Sequence, residues 1–512
     1  MRPSAESQVL SRSRSVVASR SGLTTTNDAG YTVYLVILVV LVVAVPLLRT
    51  LVLGLSNPVV LAAMTSTDSH RSVGVGAAIL AAGALLTART RGPVVASPFL
   101  TEFLAGSGLP RSDTLRRPFV VTVAVMTATA VTVSGLVVMA LLLDAPTAAV
   151  PAVLLVLGSA SYACVLAVLS LFGQSSPRRV TTPLALVILC GALFIAIGFD
   201  AVTLVTPWGW LALLWQSLGP DAPIRWEPAI ALALSPLAFL AAPALLNGLR
   251  LSELMAQSRR WQTIGTLVQT GDVAGATGTL RAPPTRGRHV RILFTGPLPV
   301  AIFRRDVGAA RRFPTRTALG SLALINAGWL TAQTATAPAG VNWIAAMAGS
   351  LLAYLAVGVL CDGLRNANEN AASSVYGRSA VMMIASHALL PAVACIVLGL
   401  TGTLVATSFG APLAAVPWWL LLSIFIVAVR VLDSAKGAMP IGLLLPVPTP
   451  VGDVAILNVI AWQADALIIV LAAAGALTVL HTTMGPESAL WLILCGLVVG
   501  ALALRRIGAL TA

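Results

Sequence analysis

The feature that most constrains this chain is a series of apolar stretches, each close to the roughly 20 residues an α-helix needs to cross a bilayer. They fall near 31–48, 73–88, 119–143, 148–172, 181–199 and 227–247. A second set falls near 318–336, 342–361, 379–403, 413–431, 455–480 and 489–504. A backbone in hydrocarbon must satisfy its own hydrogen bonds, so stretches of this length are helices. The sequence predicts an all-α polytopic membrane protein of about 12 transmembrane helices, arranged as 6+6. Composition agrees: 57% of the 512 residues are hydrophobic and 10% charged, against about 25% charged in a soluble domain. So little charge cannot cover a water-facing surface. A large soluble enzyme, a disordered chain and a coiled coil are excluded.

The charge that is present has a direction. The net charge is +14, and Lys436 is the single lysine. Arginine-rich coding of this kind suggests a GC-rich bacterial genome. With a cytoplasmic N-terminus, and with Arg430 counted at the inside end of its span, 29 of the 32 basic residues fall on the inside, leaving Arg49, Arg71 and Arg225 outside. That is the positive-inside pattern, and a missing span would invert every later loop. The excess therefore needs no nucleic acid partner. The implied order is a cytoplasmic tail 1–30, a first six-helix half 31–247, a basic cytoplasmic linker 248–317, a second six-helix half 318–504 and a cytoplasmic tail 505–512. The first apolar run is too long for a signal-peptide core and no small-residue cleavage site follows, so no cleaved leader is expected. The five cysteines lie in apolar stretches and are read as buried thiols without a disulfide framework.

Three segments outside the spans carry local patterns. In 89–118, Ser97-Pro98 is a helix start with proline at the first position. Phe99/Phe103 and Leu100/Leu104 are i,i+4 pairs, read as one greasy face. Gly106 and Gly108 stop the helix, and Arg111, Asp113, Arg116 and Arg117 follow. The segment suits docking into a soluble partner's groove, or packing back on the bundle with its arginines snorkelling. In the linker, Val300, Phe303, Val307 and Ala310 recur at helical spacing with Arg304, Arg305, Arg311 and Arg312 read opposite them, the pattern of a helix lying on anionic lipid. The rest of the linker, with Gly271–Gly278 and Pro283-Pro284, reads as too basic and broken to span. In 201–226, Trp208, Trp210, Trp215 and Trp226 suggest a re-entrant or surface helix between spans five and six.

Catalytic and cofactor signatures are missing. There is no phosphate-binding glycine loop beside the single lysine, no H-E-x-x-H and no G-x-S-x-G elbow, and the four histidines are scattered. Neither an enzyme nor a cofactor is expected. The remaining candidates are polar residues inside the apolar stretches, Asn326, His387 and Asp465. Each is expensive in a bilayer, and each would line a pathway or hydrogen-bond a neighbouring helix.

With these parts in order, the chain resembles the membrane subunits of ABC-2-type exporters. In detail it looks like an actinobacterial group of ABC exporter permeases of about this length. The residues that carry the resemblance are Gly92-Pro93-Val94, Pro110 to Pro118, Phe303-Arg304-Arg305-Asp306, Arg311 to Pro314, Tyr354 to Arg365, His387 to Pro391, and Thr449 to Asp453. The second half departs from the class, because its outer loop 481–488 is too short for external helices. The resemblance implies a permease in the bacterial plasma membrane that moves a hydrophobic or amphipathic substrate. It also implies a separate ABC ATPase, in two copies, docked through Phe99, Phe103, Arg111, Asp113, Arg116 and Arg117. A second docking region, in 362–378, would use Asp362, Arg365 and Glu369. One chain or a homodimer would form the transporter. An ion-coupled carrier built on Asp465 and a membrane scaffold without transport stay open as alternatives.

Overall fold

The structure is a computed structural model. It describes residues 34, 37, 41, 45–66, 69–144, 149–219, 223–269, 273–279, 296–336, 342–369, 377–408, 410–436, 439–445, 448–449, 452–453 and 455–511. Among these, the secondary structure is helical apart from a two-residue antiparallel ladder that pairs Pro448 with Asp453 and Thr449 with Gly452. Nine stretches are long and apolar enough to cross a membrane: Ser69–Thr87, Arg116–Leu143, Ala149–Ser175, Arg178–Ala196, Trp226–Asn247, Asn342–Leu360, Ala380–Ser408, Ala415–Ser434 and Asn458–Ala509. The last of them holds two helices, Ala455–Met484 and Ala489–Thr511. The expected first span, 31–48, lies largely outside the described residues, as does the tail 1–30. The expected span 318–336 is a helix, Pro314–Gln333, but Arg316, Asn326 and its threonines keep it outside the apolar set.

The chain divides into two compact units, Met1–Val94 with Ser107–Arg250, and Val95–Gly106 with Leu251–Ala512. In the first, helix Ser69–Thr87 is central and packs on Ala149–Ser175, Arg178–Ala196 and Pro207–Gln216. Its buried side is made of small residues, Gly74, Ala77, Ala78, Ala81 and Ala82. Small residues let helices approach closely in a bilayer, where hydrophobicity alone gives no preference for helix over lipid. The glycine and alanine content that shortens this apolar run is thus what seats it in the middle. Tyr162 seals the contact by donating to the Ala77 carbonyl at 2.6 Å.

The tryptophan segment folds inward. Helix Pro207–Gln216 buries Gly209, Ala212, Leu213 and Leu214, and the Leu214 side chain occupies the space over Gly158. Trp215 Nε1 donates to the Met64 carbonyl at 2.9 Å. The segment expected to be a re-entrant or surface helix is therefore a helix packed against its own unit through its small and leucine residues. The helix after it is broken: Trp226–Leu234 and Ala242–Asn247 are joined by a 3₁₀ stretch, Ser235–Ala241. Pro236 and Pro243 lack the N–H that an unbroken α-helix requires there.

In the second unit, helix Pro314–Gln333 crosses Ala380–Ser408 at backbone contact. A side chain on Gly328 would strike the Gly399 carbonyl, and one on Gly402 the Ile325 carbonyl. The Trp419 indole fills the space that Gly399 leaves open, and its Nε1 donates to the Cys395 carbonyl at 3.2 Å. Phe425, Leu324 and Ile426 complete the core around it. The linker is more ordered than its composition suggests. Leu251–Gln269 and Val273–Thr279 are helices, although 270–272 and 280–295 lie outside the described residues. All five cysteines are free; of the five expected to be buried, Cys361 and Cys395 are, Cys164 and Cys495 are half-buried and Cys190 is exposed.

Candidate functional site

Helix Pro98–Gly106 begins where the sequence places it, with Leu100 N–H donating to Ser97 Oγ at 3.3 Å. Its two i,i+4 pairs do not share a face. At 100° per residue, Phe99/Phe103 and Leu100/Leu104 are separated by about a quarter turn. Thr101, Leu104 and Ala105 are buried, whereas Phe99 is 65% and Phe103 44% exposed. The two rings stack with centroids 6.2 Å apart and planes 9° from parallel. The buried side rests on helix Leu251–Gln269. There Ser258, 1% exposed, donates to the Ala96 carbonyl and lies 3.2 Å from Thr101 Oγ1. The helix is therefore pinned by one side and presents an aromatic pair on the other. Ser258 and its helix escaped the sequence reading, because polar Gln257 and Ser258 interrupt the stripe begun by Leu254 and resumed at Ile264.

The charged turn belongs to the first unit. Arg111–Thr114 is one short helical turn with Thr114 buried. It is held by Ser112 N–H donating to Asn247 Oδ1 at 2.8 Å. Asp113, Arg116 and Arg117 are exposed and Arg111 is half-buried. The loop before it is clamped by a residue the sequence reading passed over. Buried Gln174 accepts from Val94 N–H at 3.3 Å and donates to the Val94 carbonyl at 3.1 Å. A side chain on Gly92 would overlap that amide, which accounts for the glycine of Gly92-Pro93-Val94. Arg89 adds a donation to the Ser176 carbonyl at 3.1 Å.

The second candidate docking segment is helix Asp362–Glu369. Asp362 accepts from both terminal nitrogens of Arg316, at 2.7 and 3.2 Å. Arg365 is half-buried, the side chain of Glu369 is outside the described set, and 370–376 lie outside the described residues. His387, expected in a pathway or an interhelix bond, is 2.6 Å from Asp306 through Nδ1 and Oδ2. Both side chains are almost fully buried, at 3% and 7% exposed. Asp306 belongs to helix Leu298–Arg311, which was expected to lie flat on lipid. The helix forms, but its protein-facing side is Ala301, Ile302 and Asp306, while Val300 is 42% exposed. Arg304 and Arg311 fall beside Val300 on the helical wheel, not opposite it.

Asp465, read as a solitary acid, has partners. It is 2.5 Å from Lys436 Nζ and 2.9 Å from an Arg506 nitrogen. Lys436 also meets Asp433 at 2.9 Å. Asp433 pairs with Arg430 at 3.2 Å and accepts from the Tyr354 hydroxyl at 3.0 Å. The Arg430 guanidinium lies 3.5 Å over the Tyr354 ring, an arrangement favoured by the ring quadrupole. Four helices are joined at this point. Asn326, in contrast, is exposed and donates to the Leu322 carbonyl of its own helix at 2.9 Å, so it reaches no neighbour through that bond. Among the described residues no three His, Cys, Asp or Glu side chains are grouped as a metal site would need. No protein-family model, curated protein or solved structure matches the chain.

Proposed function

We propose that the chain is the membrane-embedded permease of an ATP-driven exporter. It has twelve spans as 6+6, both termini in the cytoplasm of a bacterial cell, and a separate ABC ATPase as motor. The observation that carries this reading is the Phe99/Phe103 pair. An isolated two-turn helix is unstable in water without tertiary support. Here that support comes from the side that holds Thr101 and Leu104, and two large aromatic rings remain outside it. Buried aromatic anchors supply much of the binding energy in protein interfaces. Exposed Asp113, Arg116 and Arg117 of the first unit, and separately helix Asp362–Glu369 of the second, would each offer charged contacts to an ATPase copy. The basic excess on the inside segments supports the orientation. The pairing of Asp465 with Lys436 and Arg506 favours a structural role for that acid over an ion-coupling one. A hydrophobic or amphipathic substrate is consistent with a chain that is 57% hydrophobic. The test is co-purification of the adjacent-gene ATPase with the full-length chain and with Phe99→Ala/Phe103→Ala at matched expression. Equal recovery of the ATPase would sink the docking assignment.

A further inference from the structure

Four helices of the second unit meet at two buried side chains. Leu298–Arg311 supplies Asp306 and Ala380–Ser408 supplies His387, in contact at 2.6 Å. Asp362–Glu369 closes over them with Gly363. A Cβ there would lie 2.5 Å from His387 Nδ1 and 2.6 Å from Asp306 Oδ2. Only a residue without a side chain lets the backbone come so near. Pro314–Gln333 supplies Arg316, which holds Asp362 with two hydrogen bonds. A small open cleft adjoins the contact, lined in part by Phe313, Arg316, Asp362 and Leu390.

We propose that the Asp306–His387 pair, closed by Gly363, is a positioning latch that sets the orientation of helix Asp362–Glu369 for docking. The docking half of this statement rests on the function proposed above; the positioning half does not. Eight residues are too few to form a stable helix alone, so neighbours set this one's angle. Its apolar grip is small: within Asp362–Glu369 only Leu364, 1% exposed, is a buried hydrophobic. Ala367 adds a partly buried apolar contact, and the polar part of its fixation is directional. Arg316 holds its first residue, and the Asp306–His387 pair defines the surface on which its second residue lies. Losing either partner leaves the other buried without its hydrogen bond, a costly state. The backbone of Gly363 would then lose its seat.

The test uses the full-length chain in lipid nanodiscs, with Cys190→Ser to remove the exposed thiol and a spin label at Asn366→Cys, an exposed position. We expect His387→Ala, Asp306→Leu and Gly363→Ala each to shorten the label's rotational correlation time severalfold. His387→Asn, whose amide nitrogen takes the place of Nδ1, restores it, and Asp306→Asn, which still offers an amide oxygen to Nδ1, keeps it near the wild-type value. Label motion unchanged in His387→Ala and Asp306→Leu overturns the latch, and so does motion in His387→Asn as fast as in His387→Ala. Recovery of the ATPase is measured on the same variants, with a severalfold loss expected and rescue by His387→Asn. A loosened label with full ATPase recovery overturns the docking role. A wild-type chain that recovers no ATPase overturns the proposed function instead, while the label still decides the latch.

Discussion

Replacing Asp465 by asparagine separates a structural acid from a coupling one. The carboxylate is 25% exposed and joins Lys436, 8% exposed, to Arg506. Removing one partner of a fully buried pair costs about 3–5 kcal/mol. Asp465 is not fully buried, and Lys436 keeps Asp433 at 2.9 Å and the Gln463 carbonyl at 3.1 Å. With that discount the cost is about 2 kcal/mol, or a fall of roughly 4–8 °C in apparent melting temperature for a unit of this size. The network carries three cations, Arg430, Lys436 and Arg506, against two anions, Asp433 and Asp465. Asp465→Asn raises its net charge and Lys436→Met lowers it, so the double variant returns it to the starting value. The double variant should be more stable than the sum of the singles by about 1 kcal/mol, the coupling expected of contacting residues. A thiol-reactive dye measures this at a fixed scan rate in a Cys164→Ser/Cys190→Ser/Cys495→Ser background, because the remaining Cys361 and Cys395 are 2% and 0% exposed and react only on unfolding. Additive single variants would refute the network as a coupled unit. A folded Asp465→Asn protein that melts like wild type but has lost transport would refute the structural assignment and favour ion coupling.

Other outcomes follow from the same geometry. Phe103→Ala should weaken ATPase docking by about 2 kcal/mol, the loss of a central aromatic anchor, read by titrating the ATPase onto nanodiscs. Arg116→Glu should weaken docking more at low salt than at high salt, since exposed charges are screened, and a salt-independent effect would remove it from the interface. Cysteines at Gly219, Gly410 and Pro486 should label from outside and at Ser176 and Gly275 from inside, and one reversed site breaks the topology from that point on. Gly173 is unsuitable for this purpose because a side chain there would strike the Leu85 carbonyl. Gly402→Val should cost about 2–3 kcal/mol through overpacking, because the obstructing Ile325 carbonyl is backbone; a variant melting within a degree of wild type would show that the crossing of Pro314–Gln333 and Ala380–Ser408 is looser than described.

The helices were legible because membrane insertion is decided by local composition, and Ala149–Ser175 or Ala415–Ser434 can be read without knowing any neighbour. What each polar residue does was not legible, since partners come from other helices. Asp465 stands alone along its own stretch, yet Lys436 and Arg506 are supplied from either side in sequence. The same holds for His387, whose partner Asp306 is 81 positions earlier in a helix that composition assigned to the lipid surface. Other misses were available locally. The quarter-turn offset between Phe99/Phe103 and Leu100/Leu104 follows from helix geometry, and the structure divides these pairs between an exposed and a buried side. Helix Leu251–Gln269 was hidden by a different cause: its buried side includes Gln257 and Ser258, so an apolar count undervalues it.

Acids are scarce in this chain, 18 in all, and four of them make joints between helices of the second unit. Asp306 and Asp362 hold the two short helices, Leu298–Arg311 and Asp362–Glu369, to the longer ones. Asp433 joins Ala415–Ser434 to Asn342–Val357 through Tyr354, and Asp465 joins the last two helices through Arg506. Arg316 and His387 lie on the two helices that cross through Gly328, Gly399 and Gly402. A load applied to Asp362–Glu369 would thus reach both members of that pair, one through a bidentate arginine and the other through the buried histidine. Backbone contact leaves those two helices little freedom to slide, because close-packed interiors resist continuous deformation. On the docking reading, the pair would move as one piece when the partner pulls. A device of that kind needs fixed, directional polar contacts at its joints, which is the use to which these four acids are put.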